Sequence, residues 1–442
     1  MKKKSLVVII SILSIIILSI FIVVNSNIFL FKPNSPNGKI NTLSANDNLQ
    51  FYEWYKTWDD GERNYGYSIC YDGNGSVYIT GSSYNYDTKV TSPHLIQYDQ
   101  SGGKKWELTW EKNDYCRAIT IDNESNLYIG GNRYNRITED SNFMLMKINK
   151  TKQLEWGRTW GTVEYDRING IALDSLGNIY TVGQSNNNLI LLRKYNTNGT
   201  FLWEMSWTSY TSYISGKLAI DLADNIYVAG SSNGEIFLAK YNSTGGLDWH
   251  KTFGAVNKSV RSFDIVVDSN NNIYTCGHLY IPLPQSGAYT TDVFLAKFNV
   301  SGDQIWNKTW GGSSYDEASG IAVDLNDNLY ITGYTNSYEY QKLFVLKFSP
   351  EGMKMWSNVL DFSVQDVGKD IIVDSSGDIY VVGQTFNIYD HGDILLVKIS
   401  SIPSPQIPGY DIIPLLIVSS IALFIIGIRN TKSYKKKFNS FF

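Results

Sequence analysis

One unit, written seven times, constrains this chain more than any other feature. Asp recurs at Asp72, Asp122, Asp174, Asp221, Asp268, Asp324 and Asp374, in steps of 47 to 56 residues. A Tyr follows each by six residues: Tyr78, Tyr128, Tyr180, Tyr227, Tyr274, Tyr330 and Tyr380. A Gly follows by nine: Gly81, Gly131, Gly183, Gly230, Gly277, Gly333 and Gly383. Trp keeps a second register at Trp54, Trp106, Trp156, Trp203, Trp249, Trp306 and Trp356. Five of these have a second Trp four residues on (Trp58, Trp110, Trp160, Trp207, Trp310), and Phe253 and Leu360 take that place in the other two. Self-similarity at such a period means modules that bury their apolar faces only against their neighbours.

Each module reads as four short strands. In the third, strand A runs through Ile171-Ala172-Leu173-Asp174, and the turn Ser175-Leu176-Gly177 leads to strand B, Asn178 to Gly183. After a variable loop, strand C is Ile190 to Tyr195, and the turn Asn196-Thr197-Asn198-Gly199 leads to strand D, through Trp203. Runs of Ile, Val, Tyr and Trp divided by Gly/Asn/Asp turns are hairpin signals. Helical periodicity is absent. Four-stranded units of this length, repeated, predict an all-β fold, a seven-bladed β-propeller.

Counting strands predicts how the ring closes. The last unit reaches strand C (Leu395 to Ile399) and stops, whereas the body opens with an orphan strand D, Phe51 to Trp58. The N-terminal strand is therefore expected to complete the last blade, which removes the open edge there.

The pattern Trp306-x-x-Thr309-Trp310-Gly311-Gly312, Gly320-Ile321-Ala322-Val323-Asp324, Asn328-Leu329-Tyr330-Ile331-Thr332-Gly333 resembles the prokaryotic seven-bladed β-propeller (SBBP) repeat, over residues 51–400. The resemblance implies extracytoplasmic scaffolding or binding and no particular reaction. The linkers from Trp207 to Asp221 and from Phe253 to Asp268 depart from its Trp-Gly-Gly pattern.

The ends read differently. Residues 1–31 hold three lysines and then an uncharged run from Ser5 to Val24, long enough to span a bilayer as an anchor or to serve as a signal segment. Residues 412–428 form a second apolar run, and 429–442 a basic tail with Lys435, Lys436 and Lys437. Positive charge stays cytoplasmic, so both clusters are satisfied when the propeller is outside the cell membrane. Residues 32–50 and the Pro-rich stretch 401–411 read as linkers, and the C-terminal stretch resembles archaeal surface-protein anchors. A net charge of −4 with 18% charged residues gives no basic footprint for nucleic acid. Three cysteines (Cys70, Cys116, Cys276) do not make a disulfide scaffold.

The repeated polar residues have structural roles to fill. The Trp pairs are expected to pack against the next blade. The seven Asp are expected to cap the A–B turn; Asp268-x-Asn270-x-Asn272 only partly follows a Ca²⁺ loop, lacking its Gly and Glu. Lysines end strand C in six units (Lys147, Lys194, Lys240, Lys297, Lys347, Lys398), which predicts a ring of Asp–Lys pairs.

Specificity is expected where the repeats differ. The B–C loops differ most and share a rim with the D–A loops. They carry Tyr84, Tyr86, Arg133, Tyr134, His278, Tyr280, Tyr289, Tyr334, Tyr338, Tyr340, Tyr389 and His391, the candidate ligand-binding residues. Tyr suits glycan or protein recognition, and equally suits packing these loops together. Four D–A loops carry Asp114, Asp166, Asp316 and Asp366, eight residues before the repeated Asp. A carboxylate ring there would hold a cation such as Ca²⁺; alternatively each caps local amides. His94, His278 and His391 would be needed together for zinc, with no ligand spacing to support them. No cofactor is expected. The reading is a membrane-anchored scaffold binding a cell-surface glycan or protein. The alternatives are a polysaccharide-active hydrolase or lyase at the same rim, and a structural envelope spacer.

Overall fold

A computed structural model describes residues 51–400, apart from 111–112, 163, 186–188, 209–215, 233, 255–258, 284–287 and 388–391, and also 406–407 and 410–411. Both expected membrane segments and nearly all of both linkers lie outside the described residues. So do the two departing linkers in their central parts. Among the described residues no helix is long and apolar enough to cross a membrane.

Seven four-stranded antiparallel sheets form the body. Blades 1 to 6 follow in chain order: Arg63–Thr109, Asp114–Trp160, Arg167–Thr208, Lys217–Phe253, Val260–Trp310 and Asp316–Leu360. Blade 7 takes its first three strands from Gln365–Val373, Ile379–Phe386 and Asp393–Ile399. Its outer strand is the N-terminal segment Trp54–Trp58, in register from Trp54 opposite Lys398 to Trp58 opposite Ile394. The expected closure is therefore the observed one. Further bonds lock the clasp: Glu53 N–H donates to Lys398 O (2.8 Å), and the buried Asn358 of blade 6 bonds both backbone groups of Phe51.

The core is divided into seven clusters, one between each pair of blades. The period of two explains this, since successive strand residues face opposite neighbours. In strand B of blade 2, Ile129 packs toward blade 1 with Cys116 and Met146, whereas Tyr128 packs toward blade 3 with Ile179 and Tyr195. The Trp pairs sit at these interfaces, as expected. Trp306 and Trp310 of blade 5 pack against blade 6, and the Trp306 indole donates to Pro350 O (3.3 Å) of the next C–D turn. That turn holds Gly352 at φ +81°, where a Cβ would stand 3.0 Å from the indole. Glycine is required there both for the left-handed turn and for the ring's approach.

The Asp–Tyr register is a hydrogen-bonded unit. One carboxylate oxygen of Asp268 accepts from the Asn270 and Asn272 amides (2.9 and 2.8 Å); the other accepts from the buried Tyr274 hydroxyl (2.9 Å). Blades 2, 3, 4 and 6 repeat the arrangement. The lysine ring takes another form than expected. Lys194 and Lys347 pair with Asp174 and Asp324, but the others reach Glu155, Asp248, Asp378 with Glu53, or the Pro350 carbonyl. What all six share is the Tyr ring directly opposite on strand B, with the ammonium 4.7 to 5.8 Å from its centroid. The cross-strand neighbour is nearer than the turn, so the cation–π contact repeats and the ion pair does not.

Chain entry and exit lie together. Trp54 and Lys398 share a row with Tyr380, at the end of blade 7 where Asp374 caps its turn. Both ends of the body therefore leave from the hairpin face, opposite the B–C loops.

Candidate functional site

The rim opposite the hairpins is built as the loops suggested. The second strands run further toward the rim than expected, so Tyr134 and Tyr280 lie in strands Leu127–Asn135 and Ile273–Pro282 rather than in loops. These ends bond the D–A segments beside them: Tyr134 N–H to Asn113 O (2.9 Å), Tyr280 N–H to Ser259 O (2.8 Å), and, from a loop, Asn336 N–H to Tyr315 O (2.8 Å). Inside this rim the first strands of all blades lie side by side and wall the axis. Six of them carry a β-bulge, at Tyr67, Arg117, Asn169, Phe263, Ser319 and Lys369. A bulge leaves one residue unpaired and re-aims its side chain. All six are half-buried. They stand five residues before the repeated Asp, and no two are alike. Loop divergence alone passes over them; the signal that finds them is divergence at a fixed offset inside a strand.

On the side of blades 5 to 7 the site is aromatic and charge-balanced. Phe263, His278, Tyr280, Tyr289 and Tyr315 form a file from axis to rim, with successive ring centroids 5.2, 4.8, 5.0 and 5.9 Å apart. Arg261 lies 5.2 Å over the Tyr280 ring. Glu317 stands 3.4 Å from His278 Nδ1. Burial works against the Glu317 carboxylate, but His278, Tyr334 and Lys369 together hold its pKa below the usual value. Burial lowers Lys369, with Glu317 opposing. Deeper in, burial raises Asp264, with Lys217 opposing and Asp370 adding. Asp264 accepts from the Ile321 amide of blade 6 (3.0 Å), and Asp370 from Ser68 Oγ (2.7 Å) and the Ile69 amide (3.1 Å) of blade 1. These two carboxylates stitch neighbouring blades.

On the side of blades 1 to 3 the residues are aromatic and cationic. The Arg117 guanidinium lies 5.7 Å from the Tyr67 centroid and 5.5 Å from that of Tyr115, and its Nε donates to Asn132 Oδ1 (3.0 Å). Arg167 donates to Gln184 Oε1 (3.1 Å). Tyr65 and Tyr67 stack at 6.3 Å.

Of the candidate residues, His278 and Tyr334 come together at Glu317, and Tyr280 and Tyr289 continue outward from the His278 ring. Tyr84 packs edge-on to Tyr86, whose hydroxyl accepts from Arg63 (2.8 Å), and Tyr134 stacks on Tyr165 at 6.3 Å. Tyr338 and Tyr340 line a separate open cleft of about 520 Å³ with Glu339, Lys342, Asp361 and Ser363. Arg133 is committed elsewhere, bonding both oxygens of Asp114 (2.7 and 2.8 Å). Tyr389 and His391 lie outside the described residues.

The four D–A aspartates are fully buried, each with local partners. Asp114 holds Arg133 and the Trp110 indole; Asp166 the Thr162 amide; Asp316 the Gly312 amide and Ser337; Asp366 the Phe362 and Ser363 amides and Thr385. Their geometry is that of amide and side-chain caps. His94 is core, 1% exposed, bonded to Thr109 and Ser83 hydroxyls and 4.1 Å from the Trp58 ring. Burial lowers its pKa to about 4. Among the described residues no three His, Cys, Asp or Glu side chains gather as metal ligands.

Solved structures share the architecture. An ulvan lyase of a new polysaccharide lyase family, bound to -[GlcA(1-4)Rha3S]-, is 10% identical, with a TM-score of 0.50 over 77% of this chain and 95% of its own. A periplasmic gluconolactonase from Pseudomonas aeruginosa is 9% identical, with a TM-score of 0.45 over 67% and 86%. The β-propeller domain of the Trilobed protease from Pyrococcus furiosus is 10% identical, with a TM-score of 0.42 over 81% and 99%. At these identities the likeness is one of fold. No curated protein matches in sequence. The Beta-propeller repeat family, SBBP, matches residues 151–190, 208–237, 248–278 and 309–341, which fall on blades 2 to 6. The body of this chain is thus a seven-bladed β-propeller, and four stretches of it match the SBBP repeat.

Proposed function

We propose that the chain is a membrane-tethered, extracytoplasmic binding scaffold that takes a cell-surface glycan or protein at its B–C rim. The aromatic file from Phe263 to Tyr315 carries this reading. It ends at Tyr289 and Tyr315, 49% and 38% exposed, so flat rings with polar handles open outward from the axis. Such surfaces give contact area at low entropic cost. The tether geometry supports it: both ends leave from the hairpin face, so two spanning segments would hold the rim away from the bilayer.

A second reading, a polysaccharide-active hydrolase or lyase, is favoured by one observation. Glu317, His278 and Tyr334 bring a carboxylate, an imidazole and a phenol together beside the channel, a set suited to proton transfer. Thermal melting of the full chain in detergent, against envelope glycans and surface-protein extracts, tests both. A ligand at 100 times its Kd stabilises by about 2.7 kcal/mol. A shift abolished by Tyr280→Ala and Tyr289→Ala supports rim binding, and product formation lost in Glu317→Gln would favour the enzyme. No shift with any ligand would leave the envelope spacer.

A further inference from the structure

The channel wall holds one charge imbalance that the fold does not resolve. Lys369 faces Glu317 and Lys217 faces Asp264, so the cations of blades 4 and 7 have carboxylates beside them. Arg117 and Arg167 do not. Their side-chain hydrogen bonds go to neutral amides, Asn132 and Gln184, and neither has a carboxylate partner among the described residues. The strands that carry them are adjacent, Asp114–Ile121 and Arg167–Leu173. Burial, with the Arg117 charge adding, lowers the Arg167 pKa, so the two guanidinium groups act on one another.

The site is built rather than incidental. The bulge at Cys116/Ala118 aims Arg117 at the axis. Its guanidinium lies over the Tyr67 and Tyr115 rings, and Asn132 holds Nε, which leaves the terminal nitrogens without a hydrogen-bond partner among the described residues. Two half-buried like charges are costly to keep without a counter-charge. A planar guanidinium matches the two oxygens of a carboxylate or sulfate, and a desolvated pair binds such a group far better than an exposed one.

We propose that Arg117 and Arg167 form an oxyanion site in the channel mouth that takes a carboxylate or sulfate ester of an acidic sugar chain. Tyr65, Tyr67 and Tyr115 supply the flat surface on which the sugar ring rests. This rests on the binding reading above and narrows its ligand from glycans in general to acidic ones.

The test is isothermal titration of the full chain in detergent at fixed ionic strength. The probes are oligogalacturonate, a sulfated galactan oligosaccharide and the neutral galacto-oligosaccharide. The expected result is at least tenfold tighter binding of an acidic probe than of the neutral one. That preference should fall to about unity in Arg117→Gln/Arg167→Gln, with an unchanged melting transition, and partly survive in Arg167→Lys. Preference for uronate or for sulfate identifies which group is taken. Equal affinity for acidic and neutral probes, or selectivity kept by the double variant, overturns the inference and leaves rim binding standing. Binding of none of the three overturns it too, and the wider ligand panel then decides the rim reading separately. If the double variant melts early, the single variant Arg117→Gln with a salt titration decides: a salt slope for the acidic probe that this loss of charge leaves at the wild-type value counts against the site.

Discussion

The two faces of this propeller are assembled by opposite rules. At the hairpin face the Asp–Asn–Tyr unit recurs around the ring with nearly constant distances, 2.9 to 3.2 Å for the Tyr–Asp bond in five blades. At the rim face repetition is partial: Asp recurs in four D–A loops, but the bulge side chains are Tyr, Arg, Asn, Phe, Ser and Lys. The hairpin face solves one problem repeatedly: the Asp caps turn amides in all seven blades and takes a Tyr hydroxyl closely in five of them. The rim face is freed from it, because the strands below already hold the blade. Divergence is tolerated where backbone geometry does not depend on it.

The comparison breaks most severely if the ring cannot close. Deleting residues 47–58 removes the outer strand of blade 7, Trp58 with it, and uncovers Ile394 and Leu396 of the same cluster. The expected outcome is loss of the cooperative unfolding transition; an unchanged melt would refute the clasp. A second test asks whether depth, rather than face, decides stability. His94 lies at the rim end but in the core, and its pKa falls from 6.5 to about 4 on burial. A depressed histidine binds fewer protons folded than unfolded in that window. Its contribution is therefore complete above pH 6.5 and is lost as pH falls toward 4, by about 3 kcal/mol. Denaturant titrations at pH 7 and pH 4.5 should show this slope, and His94→Gln should flatten it. The smallest effects sharpen the contrast. Asp268→Ala strands the Tyr274 hydroxyl and two turn amides and should cost about 1–3 kcal/mol. Tyr340→Ala, at a residue 48% exposed, should change stability by no more than about 0.5 kcal/mol. Equal costs would remove the distinction between scaffold and rim.

The fold was legible because periodicity states it: the offsets of Asp, Tyr, Gly and Trp fix strand order, and the missing strand D after Ile399 fixes closure. The turn-capping Asp was legible too, since its partners lie within six residues. The lysine contacts were not. Position along the strand places Lys194 and its counterparts near the Asp, but the rung of the ladder decides the partner, and that rung holds Tyr. The rim was legible as a region and only partly as a site. Tyr280 and Tyr289 flank a conspicuous loop, at the ends of the strands Ile273–Pro282 and Tyr289–Phe298. Their partners Phe263 and Glu317 sit within strands whose bulges break the alternation, so no pattern marks them as facing the axis. Arg133 looks like a free rim cation in sequence; only three dimensions show Asp114 holding it.

The clasp has a mechanical consequence. Phe51 and Ser400 leave from the same end of a five-rung ladder, and Ser400 Oγ bonds Glu53 (2.8 Å) at that end. Forces that draw the two ends apart would act on one rung at a time, Trp54–Lys398 first and Trp58–Ile394 last, as a zipper opens. A pull shared by both ends in one direction loads no rung against its neighbour. Held by two parallel stems, the ring can bear tension at its base while the blades under the rim stay unstressed; held by one, it hangs from the weaker half of its own fastening.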